Sequence, residues 1–226
     1  MSRILIFEDQ PIERKDIEKI VREVLSNCKS DIKIEKPLES IRDITKVAIT
    51  PENPIHLIIT DILNSKKDLV GYMDLLAQAR DSQNADEKVQ FIEQANEILI
   101  NAAKYSLKHI ASEWGRISCP LIIITKINRS NLMKILEGLN SDLNILRMFD
   151  NKIDVMIRKI KRRSRTMYKS KNLTIFLKKE YYECASDEVF AYEEAHSSFN
   201  KWFSKKLMNM LRISNASEVS IDDEKS

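Results

Sequence analysis

The chain has 226 residues, with 43% hydrophobic and 31% charged residues and a formal net charge of only +3. This composition fits a soluble globular protein, and the near-balanced charge points to no particular partner class. Three glycines and five prolines favour helices with short connections over an all-β chain rich in tight turns. Cys28, Cys119 and Cys184 are far apart and form no CxxC pair. That argues against a structural zinc site and for reduced thiols.

Ile4-Leu5-Ile6-Phe7 is a continuous apolar run that stops at Glu8-Asp9. Such a run fits a strand buried on both faces, as in the centre of a parallel sheet. Acidic residues end the run too early for a secretory signal. No stretch approaches 18 consecutive apolar residues, so no membrane span and a cytoplasmic location are expected. Pro11 opens a helical pattern through Ile17, Ile20, Val21, Val24 and Leu25, which Asn27 to Ser30 close. Ile32 and Ile34 alternate with lysines like a half-exposed edge strand, and Ile41 to Val47 reads as a short helix.

Leu57-Ile58-Ile59-Thr60-Asp61 is a second buried-type strand, again closed by a carboxylate. Asp81 to Asp86 reads as a break with capping residues. Val89, Ile92, Ala95, Ile98, Leu99, Ala102, Tyr105, Leu107, Ile110 and Trp114 then give a broad apolar face. A helix over 86–114 is roughly 42 Å long at 1.5 Å per residue, too long to lie wholly against one sheet. The spacing predicts a helical hairpin that rises near the acidic strand ends, its later half packing back on the sheet. We read it as an insertion over 82–114 that serves a partner or a second copy, the plainer alternative being a helix that only widens the domain.

Leu121 to Thr125, entered through Pro120, is a third strand, and Leu143 to Leu146 a weaker fourth. Strands alternating with helices predict an α/β fold with a parallel sheet covered on both faces. Ligands of such sheets bind at the carboxyl ends of the strands. Glu8, Asp9, Asp61 and Thr125 all fall there. Converging carboxylates repel one another and call for a hard divalent cation, Mg²⁺ being the natural one. The plainer alternative is a solvated acidic rim. The absence of a glycine-rich phosphate loop argues against a nucleotide-binding site.

Ten lysines and arginines and no acid occur over 155–179, Arg158, Arg162, Arg163 and Arg165 among them. This run is read as a solvated helical face, with nucleic-acid contact through 158–179 as the alternative. Asp187 to Arg212 reads as one amphipathic helix with Phe199, Trp202, Phe203 and Leu207 on one side, little sheet left to cover, and therefore a second candidate for partner contact. Ser214 to Ser226 is polar and acidic and is expected to be disordered.

RILIFEDQP, HLIITDI, CPLIIIT and LNILRMFDNKIDVMIRKIKRR resemble, in that order, the first, third, fourth and fifth strands of bacterial response-regulator receiver domains. The resemblance covers about residues 1–165. It implies a doubly wound, flavodoxin-like five-stranded parallel sheet, with 166–213 a helical C-terminal extension and 214–226 a tail. It implies that Asp61 accepts a phosphoryl group from a histidine kinase or phosphotransfer protein. Asp9 would bind Mg²⁺ directly, Glu8 through water, and the backbone carbonyl of Leu63 would complete the protein ligands. Thr125 would donate to a phosphoryl oxygen. Arg147 falls where the family has its lysine, Met148 on its proline and Asn144 on its aromatic switch position, while Lys126 replaces a small residue. These departures leave open a phosphorylation-independent interaction module in which Arg147 pairs with Asp61. No helix-turn-helix or winged-helix output module follows.

Overall fold

The computed structural model describes residues 3–28, 31–63, 69–117, 119–150, 153–154, 157–158, 173–177 and eight positions within 200–211. In chain order the elements are β1 (Arg3–Phe7), α1 (Pro11–Cys28), β2 (Lys33–Ile34), a 3-10 turn at Ile41–Lys46, β3 (Ile55–Thr60), α2 (Tyr72–Asp81), α3 (Ala85–Ile117), β4 (Leu121–Thr125), α4 (Arg129–Glu137), α5 (Leu143–Met148) and β5 (Leu173–Leu177). The fold is α/β, built on a parallel sheet in the order β2-β1-β3-β4, with β5 paired parallel to the outer side of β4.

The uninterrupted apolar strands follow from burial on two sides. Ile4, Ile6, Leu57, Ile59, Ile122 and Ile124 pack with Ile17, Val21 and Val24 of α1 in one apolar layer. Leu5, Phe7, Ile58, Leu121 and Ile123 face the opposite layer, with residues of α3, α4 and α5. This is the two-residue alternation of a strand, with both faces covered.

α3 is one continuous helix of 33 residues, about 50 Å long at 1.5 Å per residue. It pairs with α2 across the short break at Ser82, Gln83 and Asn84. Asn84 Oδ1 accepts the backbone N–H of Asp86 at 2.9 Å, capping the start of α3. The later half of α3 packs on the sheet through Ala103, Leu107, Ile110, Ala111 and Trp114. Val89 and Ile92, near its start, are exposed, as are Val70 and Met73 beside and within α2. α2 and α3 together make a helical pair, but its first arm lies before the 82–114 stretch, which from Ala85 on is one unbroken helix.

Several expectations are corrected. Leu143 to Leu146 is not a strand but the start of α5. Asp142 caps this helix, its carboxylate accepting the N–H groups of Asn144 and Ile145. Arg147 is consequently an exposed helical residue and not a cation at a strand end. The strand beside β4 is β5, which lies beyond residue 165 in the segment assigned to a helical extension. The described residues of 200–211 are helical, and Phe203, Leu207 and Leu211 are buried in the α1 layer. This segment therefore has sheet to cover after all. The basic residues 159–172, positions 187–199 of the expected amphipathic helix and the tail 212–226 lie outside the described residues. Among the described residues no helix is long and apolar enough to cross a membrane.

Candidate functional site

β1 and β3 are hydrogen-bonded neighbours, registered Phe7 to Thr60. Their first residues past the sheet, Glu8 and Asp61, therefore emerge side by side. The chain leaves β1 for β2 on one side and returns to β3 on the other, so a crevice opens between the two strands at their carboxyl ends. Asp9, Gln10, Asp61, Leu63 and Thr125 line a cavity of about 260 Å³ there. Helices add Tyr72 of α2, Asn96 and Leu99 of α3, and Asn131 of α4 to the wall, and Lys126, Ile127 and Asn128 line it between β4 and α4. Four expected site residues, Asp9, Asp61, Leu63 and Thr125, thus share one hollow. Glu8 lies beneath it, in a smaller recess with Asp61, Thr125 and Lys126. Arg147 is not among the residues lining either space.

The electrostatics record the crowding. Burial, then the neighbouring charge of Asp61, raises the Glu8 carboxyl from 4.5 to about 8, against a backbone hydrogen bond from Gln10. That bond, Gln10 N–H to Glu8 Oε1, is 3.1 Å long. Asp61 is raised from 3.8 to about 6, chiefly by burial and further by the charge of Asp9. The Thr125 hydroxyl and the N–H groups of Ile62 and Leu63 hold it from rising more, and the Ile62 N–H lies 2.6 Å from Asp61 Oδ1. At neutral pH Glu8 is mostly protonated and Asp61 mostly ionised. Two like acids in one site have divided their roles.

Lys126 follows Thr125 and donates to Glu13 Oε1 on α1 at 2.9 Å. Burial works to lower its pKa, but Glu13, Glu8 and Asp61 outweigh this and raise it. The ammonium therefore stays charged. At the opposite wall Asn131 Nδ2 donates to Asn96 Oδ1 at 3.0 Å, and Asn131 Oδ1 and Asn96 Nδ2 keep further hydrogen-bonding capacity. This pair ties the inserted helix α3 to α4.

Among the described residues no group of three or more His, Cys, Asp or Glu side chains is arranged to hold a metal ion. Two carboxylates, those of Asp9 and Asp61, line the cavity, with Leu63 beside them. Mg²⁺ is ordinarily held by one or two carboxylates plus waters, so this donor set fits it in type and number without Glu8. No protein-family model matches the chain, and neither a curated protein nor a solved structure shows significant similarity to it.

Reading the sequence missed Tyr72, Asn96 and Asn131, whose place at the wall depends on how the insertion packs. It also missed the β5 segment, although Leu173-Thr174-Ile175-Phe176-Leu177 is a β-branched and aromatic run of strand length. Thr125 is registered with Leu177, and the sequence continues into Lys178 and Lys179, which lie outside the described residues.

Proposed function

We propose that this chain is a receiver-type signalling protein in which the Asp61 carboxylate accepts a phosphoryl group and contacts with other proteins carry the output. The observation that supports this best is the cavity shared by Asp9, Asp61 and Thr125, at the ends of three parallel strands that are neighbours in the sheet. The strand order, with β5 outermost and apolar layers on both faces, supports a flavodoxin-like receiver architecture.

In this reading Asp61, ionised at neutral pH, is the nucleophile. One of its oxygens forms a bond to phosphorus as the bond from phosphorus to the donor nitrogen breaks, the electron pair leaving with that nitrogen. Thr125, whose hydroxyl already donates to Asp61, is positioned to donate to a phosphoryl oxygen. Asp9, Asp61 and the Leu63 carbonyl would hold Mg²⁺, which when bound offsets the negative charge of the transferring group. Histidine kinases or phosphotransfer proteins would be the donors, and the exposed apolar residues Val70, Met73, Val89 and Ile92 would offer a protein-contact surface on the α2–α3 unit.

Incubation with phosphoramidate and Mg²⁺, followed by intact mass and peptide mapping, tests the chemistry. A single phosphoryl adduct on the Asp61 peptide, lost in Asp61→Asn, is the expected result. No adduct under conditions that preserve acyl phosphates refutes it.

A further inference from the structure

Lys126 stands directly after Thr125 at the end of β4 and lines both the main cavity and the recess that holds Glu8 and Glu13. Its ion pair with Glu13 bridges 113 positions of sequence and links β4 to α1. The two partners are held unequally. The Lys126 side chain is 52% exposed and that of Glu13 only 19%. Glu13 sits in the first turn of α1, whereas Lys126 carries its charge on a flexible four-carbon stem with three rotatable donors. Asp61 also acts on that charge. Lys126, paired to a carboxylate on the helix, thus shares both spaces with the proposed phosphoacceptor.

We propose that Lys126 is a two-position latch: with Asp61 unmodified its ammonium is held by Glu13, and with Asp61 phosphorylated it moves to the phosphoryl oxygens and gives up its ion pair with Glu13 at the start of α1. This rests on the phosphoacceptor reading above. A phosphoryl group brings close to two negative charges and three strong acceptor oxygens, against the single charge of Glu13, so the balance shifts when it arrives. Lys126 would then serve both as a cationic ligand of the phosphoryl group and as the link that reports its arrival to α1.

The test uses the full chain with Mg²⁺ and phosphoramidate, following the rate of Asp61 labelling and the lifetime of the adduct after the donor is removed. Glu13→Gln keeps the size of the side chain but gives up the competing charge, and it is expected to label several-fold faster than the parent. Lys126→Ala is expected to label about tenfold more slowly, the equivalent of roughly 1.4 kcal/mol in the barrier, and Lys126→Arg to recover part of that loss. In the Lys126→Ala background, Glu13→Gln should have no further effect, an epistasis that a merely structural role of either residue does not produce. Labelling of Asp61 at parental rate and lifetime in both single variants overturns the latch and leaves the phosphoacceptor standing. Absence of label in every variant, parent included, removes the phosphoacceptor and the latch with it.

Discussion

Replacing Glu8 by glutamine should remove a pH dependence that the parent chain carries in its stability. Glu8 is buried, and its carboxyl is raised from 4.5 to about 8 by burial and by Asp61. Between those values the folded chain keeps a proton that the unfolded chain has released. The stability tied to this proton is fully present below 4.5, falls as pH rises, and is gone once pH exceeds about 8. Each pH decade costs about 1.4 kcal/mol, so the whole interval amounts to roughly 5 kcal/mol, a ceiling because Asp61 shares the interaction. Asp61 titrates mostly below 6.5, so the range 6.5–9 isolates Glu8, and about 2 kcal/mol should be lost there. Glutamine mimics the protonated acid, and its carbonyl can still accept the Gln10 N–H. Urea unfolding at several pH values in this range should therefore show the parent weakening and Glu8→Gln holding level, the two converging toward acid. Equal slopes for both proteins, or a parent that strengthens with pH, would refute the buried-acid account of Glu8.

Three further outcomes follow from the same structure. The rate of Asp61 labelling by phosphoramidate should rise with pH with a midpoint near 6, where half of its carboxyl is ionised, and level off about one unit higher, and a cation in the site moves the midpoint lower; a midpoint above 7, read from the initial-rate profile, contradicts this. Phe203→Ala should lower stability by about 3–5 kcal/mol, because Phe203 is fully buried in the α1 layer, and a loss under about 1 kcal/mol in chemical unfolding counts against that packing. Asp142→Ala should cost about 1 kcal/mol through loss of the α5 cap, whereas an unchanged unfolding midpoint favours an extended Leu143–Leu146.

The central strands were legible because burial on both faces leaves an unmistakable trace: Ile4 to Phe7, Leu57 to Ile59 and Leu121 to Ile124 are apolar without interruption. Their closing residues, Glu8, Asp61 and Thr125, could be placed together because parallel strands all end on one side. α1 was legible from its period and its opening proline. Leu143 to Leu146 was misread because four residues carry too little periodicity to separate strand from helix; the capping role of Asp142 was the signal that decides it. β5 was overlooked because basic residues flank it closely on both sides. Burial of Phe203, Leu207 and Leu211 against the sheet could not be read locally, since it depends on which face α1 leaves uncovered. The wall residues Asn96 and Asn131 become neighbours only through the docking of α3 on α4, which no sequence spacing encodes.

The most direct test of a phosphoacceptor at Asp61 is fluorine NMR of the full chain with Mg²⁺ and beryllofluoride, which mimics an acyl phosphate. A bound-fluoride signal that requires Mg²⁺ and disappears in both Asp61→Asn and Asp9→Asn is the predicted result. Resonances that stay at the free position in the parent chain at saturating Mg²⁺ would contradict the account.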